Sequence, residues 1–172
     1  MAIKSQYFFW INLVLFQIGW FAAILGGNLL AIFIILPALS WHFFYSHCKK
    51  DDVIALLICL IMGIGHDSLL LNLNLLIIPQ QAHFPPLWLI SLWALLGITL
   101  NHSLRWIYER PMIAAVLGTI AAPLSYLAGV KLSDAEWAGS LTQIIFIIAA
   151  IWIFLLPLHR FLFLKLRHYV QN

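Results

Sequence analysis

One carboxylate falls deep in a hydrophobic run. Asp67 follows Gly63-Ile64-Gly65-His66 and precedes Ser68. A charge at the centre of a membrane helix costs roughly 2.5–3.5 kcal/mol on insertion scales, so an intramembrane acid is by default a functional-site expectation. The chemistry open to it is that of an acid, a base or a cation ligand, with His66 or Tyr126 as hydrogen-bond donor. Gly63 and Asp67 share a helix face that continues to Leu70 and Asn74. A small residue on that face lets another helix approach closely.

Counting about 1.5 Å per residue from the end of each apolar run groups the other polar residues by depth. Asp67 lies roughly 21 Å up its span, Gln17 about 15 Å up the first and Tyr126 about 21 Å up the fifth, so the three can share one layer with His66 and Ser125. Asn12, His42, Asn101, His102 and Arg105 form a second layer nearer the cytoplasmic ends, from which the count starts. A direct Asp67–Arg105 pair is out of reach by about 15 Å. Arg105 is close enough to a span end to snorkel, and anchoring is its simpler use. For Asn12, Asn72, Asn74 and Gln143 the simpler use is interhelical hydrogen bonding, worth about 0.6–2 kcal/mol each. The ligand-binding expectation therefore rests on Asn12, Gln17, Asp67, Asn101, Arg105 and Tyr126, and the catalytic one on Asp67, His66 and Tyr126.

Cofactor chemistry finds little support in the spacing. No Walker loop, His-Glu-x-x-His motif, nucleophile elbow or paired-cysteine metal site occurs, and no metal is expected. His42, His102 and His159 all sit toward one end of their spans, so two of them could ligate a haem b, although unpatterned histidines more often hydrogen-bond locally. Cys48 and Cys59 are about 16 Å apart along a helix axis, too far to bridge, and read as free thiols.

These residues need elements that span a bilayer. The 172-residue chain is 64% hydrophobic and only 9% charged, against about 25% charged in soluble domains. Too few charges exist to cover a water-facing surface, so lipid is the expected solvent. The net charge of +3 then speaks to orientation, and no nucleic-acid partner is indicated. Lys4 and the apolar run after it resemble a leader, but no small-x-small cleavage site follows, so the first run is expected to remain as a helix.

The expected fold is all-α: one polytopic transmembrane bundle of six helices, at Tyr7–Leu25, Asn28–Tyr45, Val53–Ile77, Pro86–Ile107, Met112–Val130 and Gly139–Phe161. Gly26-Gly27-Asn28 frees the backbone for a helical hairpin. His47 to Asp52 reads as a charged loop, Pro79 to Pro86 as a helix-breaking one, and Glu109-Arg110-Pro111 as a helix start. Ser133 could cap a short turn before the last span. Gly118, Ala122, Ser125 and Gly129 recur at helical spacing as a packing seam, bent by Pro123. With an inside N-terminus, Lys4, Lys49, Lys50, Arg105, Arg110, Arg160, Lys165 and Arg167 fall at cytoplasmic ends and only Lys131 outside, as expected for an inner-membrane protein with both termini cytoplasmic. Trp41, Trp88, Trp106 and Trp137 lie near span ends, where an aromatic belt would place them.

A set of short patterns runs through these spans: Asn12 with Gln17-Ile18-Gly19-Trp20-Phe21, Asp67-Ser68-Leu69, Leu92-Trp93, Thr99 through Trp106, and Pro123-Leu124-Ser125-Tyr126-Leu127-Ala128-Gly129. It resembles a bacterial family of small inner-membrane proteins known as a domain of unknown function, over most of the chain from the first span to the fifth. The resemblance implies a whole-chain membrane domain sharing the polar set Asn12, Gln17, Asp67, Asn101, Arg105 and Tyr126, and it transfers no activity.

Three functions fit. The first is binding or transport of a small or lipid-like ligand in a pocket around Gln17, Asp67 and Tyr126. The second is an enzyme acting on a lipid or isoprenoid-like substrate by acid/base chemistry at Asp67. The third is an interaction subunit of a membrane complex or homo-oligomer, in which the polar residues set helix register.

Overall fold

The computed structural model describes residues 5–81 and 83–171. Lys4 and Ala82, which entered the charge count and the proline-rich loop, lie outside the described residues. Among the described residues the fold is all-α with six helices, joined at one end by a short two-stranded ribbon.

Helix α1 (Ser5–Tyr45) is a hairpin of two arms. The turn falls at Gly27, whose φ of 57° and ψ of −151° suit a residue without a Cβ. Arms 5–26 and 28–45 are about 33 and 27 Å long, each close to the thickness of a hydrocarbon core. They fold back on each other, so that Phe8 stacks on Trp41 with ring centroids 5.0 Å apart. The hairpin expected from Gly26-Gly27-Asn28 is present.

Helix α2 (Lys49–Asn72) starts earlier and ends earlier than the sequence indicates. Lys49 to Asp52, expected in a charged loop, form its first turn, where Asp51 and Asp52 complement the positive end of the helix dipole. Its end shortens because residues 75–77 leave the helix for an extended pairing. β1 (Leu76–Ile77) runs antiparallel to β2 (Glu136–Trp137), with Leu76 opposite Trp137.

The largest correction concerns the fourth span. Instead of one helix over Pro86–Ile107, α3 (Leu87–Gly97) stops at mid-run, tight turns occupy 98–104, and α4 (Arg105–Tyr108) adds one helical turn. The Thr99 hydroxyl donates to the Leu96 carbonyl at 2.6 Å, competing with the helix ladder. The released Ile98 carbonyl is taken by Asn12 Nδ2 at 3.1 Å. Irregular backbone at membrane depth survives where neighbouring side chains satisfy it in this way.

Helix α5 (Pro111–Leu132) starts on its proline, as expected, and α6 (Leu141–Gln171) runs well past Phe161. Helices α1, α2, α5 and α6 are long and apolar enough to cross a membrane, and the chain is a helical membrane protein. α5 packs on α6, α1 on α3, and α2 lies between α3 and α6. α1 and α5 scarcely touch, which leaves a cleft between them.

Candidate functional site

Asp67 is fully buried behind the wall of that cleft, where Trp93 and Tyr126 line the space. The Tyr126 hydroxyl of α5 donates to its Oδ1. The Trp93 indole of α3 donates to Oδ2 at 2.7 Å. His66 Nδ1 lies 3.0 Å from Oδ1 and 3.0 Å from the Tyr126 hydroxyl. Three helices thus converge on one carboxylate, and each donor offsets part of what its burial costs. The glycine one turn earlier makes this possible: a Cβ at Gly63 would lie only 2.0 Å from the Trp93 ring. The indole lies over the gap in α2 and reaches Asp67 from there. Trp93 also stacks on Trp152 of α6 at 5.4 Å.

The cleft encloses about 590 Å³. Its wall is mainly aliphatic and aromatic, with Gln17, Ser125 and Tyr126 as polar points. Trp20 Nε1 donates to Ser125 Oγ at 3.0 Å across it. Gly118, Ala122, Ser125 and Gly129 line this space, and Gly118 also lets α5 sit within reach of the Trp152 carbonyl on α6. The expected seam is therefore both packing surface and cavity wall. Among the described residues, His66 Nε2 and Trp152 Nε1 are buried polar atoms without a hydrogen-bond partner. The layer of Gln17, His66, Asp67, Ser125 and Tyr126 thus comes together: His66 and Tyr126 contact Asp67, while Gln17 and Ser125 share the cavity with Tyr126.

The second layer also converges, around Asp52, a residue of the charged run expected as a loop. Asp52 is buried at the start of α2 and accepts at both oxygens. Asn101 Nδ2 donates to Oδ1 at 3.1 Å, and His42 Nε2 lies 3.1 Å from Oδ2. The Ser46 hydroxyl donates to Oδ2, and His102 Nε2 lies 3.0 and 2.9 Å from the two oxygens. Asn12 bridges the other side: its Nδ2 reaches His42 Nδ1 at 3.3 Å, and its Oδ1 accepts from Ser103 at 2.6 Å. Arg105 does not join. It pairs with Glu109 at 2.8 Å on an exposed face, with its side chain 64% accessible.

A third buried pair went unread in the sequence. His159 Nε2 donates to the Ala55 carbonyl at 3.0 Å, so its Nδ1 accepts the Tyr108 hydroxyl at 2.8 Å. Arg160 lies 4.9 Å from the Tyr108 ring centre.

Residues 9–158 match a family profile described as "Protein of unknown function (DUF2878)". No curated protein and no solved structure matches the chain.

Proposed function

Since the chain belongs to the DUF2878 family, whose description carries no activity, we propose from its geometry that it binds an apolar, lipid-like ligand bearing one small polar group in the cleft between α1, α3 and α5. The supporting observation is the cavity itself: about 590 Å³, largely apolar, with Tyr126 in its wall and the Tyr126 hydroxyl anchored on a buried acid behind it. That volume and that sparse polarity are typical of small-molecule sites. Trp152 lines the same space, and its indole Nε1 is a buried donor without a partner among the described residues.

In this reading the chain crosses a bacterial inner membrane six times: both arms of α1, α2, the broken α3–α4 segment, α5 and α6. Both termini face the cytoplasm. The distribution of basic residues supports that orientation. Arg167 of α6 pairs with Asp51 of α2 at 3.1 Å, and Arg160 lies against Tyr108 just before α5. Lys49, Lys50, Arg105 and Arg110 belong to the same end of the bundle, whereas Lys131 lies near the ribbon end.

A second reading, acid/base catalysis on such a ligand, is favoured by the contact of Tyr126, which lines the cleft, with Asp67 and His66 behind it. Native mass spectrometry with lipid analysis of the purified chain tests the first reading. A stoichiometric apolar species is expected, and Ala121→Trp, which fills the cleft from its lining, should expel it. Recovery of the wild-type chain with only the bulk lipid mixture, unchanged by Ala121→Trp, overturns it. Asp67→Asn separates the two readings: it keeps the species if the chain only binds, and leaves substrate unconverted if it catalyses.

A further inference from the structure

The end of the bundle opposite the ribbon carries a cluster that the cleft does not use. His42, Asp52 and His102 bring one ligand atom each within 4.8 Å of one another. A fourth donor stands beside them. Cys48 Sγ lies 3.5 Å from Asp52 Oδ1 and 3.7 Å from His102 Nε2. Asp52 Oδ1 and His102 Nε2 are 3.0 Å apart. Zinc–sulfur bonds of about 2.3 Å and zinc–nitrogen or zinc–oxygen bonds of about 2.0–2.1 Å give tetrahedral edges of roughly 3.3–3.6 Å. The Cys48–Asp52–His102 triangle therefore has the size of one face of a zinc tetrahedron.

The surroundings are those of a held carboxylate. Asn12 Nδ2 donates to the Ile98 carbonyl and points at His42 Nδ1, so His42 Nδ1 accepts and its Nε2–H donates to Asp52 Oδ2. Ser46 donates to the same oxygen, and Asn101 donates to Oδ1. His42, Ser46 and Asn101 thus orient Asp52 from behind, the arrangement that fixes first ligands in metal sites.

We propose that Cys48, Asp52 and His102 bind a divalent transition-metal ion of the zinc type, with His42 positioning Asp52 and the fourth position open. Binding releases two protons to solvent, one from the Cys48 thiol and one from His102 Nε2, which leaves a neutral imidazole protonated at Nδ1. The ion's two positive charges meet one thiolate and one carboxylate, so the filled site is neutral and its burial inexpensive. Access is through Cys48, which is half-buried and lines a surface recess with residues 46–51. The mixed sulfur, nitrogen and oxygen set favours zinc over magnesium or calcium.

The test is a titration of the detergent-purified, chelator-stripped full chain with Co(II) alone, followed by absorption. One saturable equivalent is expected, with intense tetrahedral ligand-field bands and a thiolate-to-cobalt band in the near ultraviolet, all reversed by zinc. Cys48→Ser, which keeps size and polarity, should lose the near-ultraviolet band and bind more weakly. His42→Gln should keep the band and weaken binding by about 10–100-fold. Thermal unfolding of each variant confirms that it is folded. Absence of saturable binding by the folded wild-type chain overturns the proposal and leaves the cluster as a hydrogen-bond network. So does a near-ultraviolet band that persists in Cys48→Ser.

Discussion

Asp67 and Asp52 stand on one helix, about 22 Å apart along its axis, and each contacts histidine. Asp67 is held by three aromatic side chains, from Tyr126, Trp93 and its neighbour His66, in the buried interior behind the cleft. Asp52 is held by two histidines, one of them within reach of solvent, a serine and an asparagine, next to a half-buried thiol. The pairing of acid and imidazole is the same, but the replacement available on disruption is not. The partners of Asp67 are aromatic side chains packed in the interior, whereas those of Asp52 include hydroxyl and amide groups beside a route for water.

That contrast sets the largest expected effect. Asp67→Ala leaves the Tyr126 hydroxyl, the Trp93 indole and His66 without their acceptor in the bundle interior. Removing one partner of a buried charged network typically destabilises by about 3–5 kcal/mol. Asp52→Ala is expected to lose less, because water can enter by way of His102 and Cys48. Unfolding in detergent measures both. A larger loss for Asp52→Ala than for Asp67→Ala would break the comparison.

A sharper version removes the space and leaves the acid. At Gly63 an added side chain collides with the Trp93 ring. Gly63→Val is expected to destabilise by about 1–3 kcal/mol, as overpacking does. It should also change the fluorescence of the Trp93–Trp152 pair, since the indole must leave its stack. At Gly65, only two residues on, an added Cβ meets nothing within 4 Å. Gly65→Val should leave the fluorescence alone, and equal spectral changes in the two variants would remove Gly63 from the account.

The two sites were unequally legible in the sequence. Asp67 was visible because a lone acid in an apolar run has no surface use, and its layer was recoverable because helices rise uniformly. Asn12, His42, Asn101 and His102 were grouped by the same depth count. Asp52 was not, since Lys49-Lys50-Asp51-Asp52 reads as a solvated charge run and only the helix rotation turns Asp52 inward while Asp51 meets Arg167. Rotation also hid Trp93, which hydropathy cannot distinguish from any core tryptophan. The break after Gly97 left one trace, Thr99 among apolar residues, too common a residue to signal an end. The ribbon strands, two residues each, are too short to show any period.

Arg105 belongs by sequence with the Asp52 layer and by structure with neither cluster. Its guanidinium pairs with Glu109 four residues on, where both side chains are largely exposed. Such pairs contribute about 0.3–0.5 kcal/mol, and salt screens them. Arg105→Gln is therefore expected to shift stability by less than about 0.5 kcal/mol, and to leave Co(II) binding at the neighbouring cluster and ligand occupancy of the cleft unchanged. Asn12→Ala makes the contrast, since it removes the partner of both the Ile98 carbonyl and His42, and should destabilise by about 1–3 kcal/mol. If Arg105→Gln proved as damaging as Asn12→Ala, the polar residues of this end would act through charge at the membrane surface, and Arg105 would belong to the Asp52 cluster.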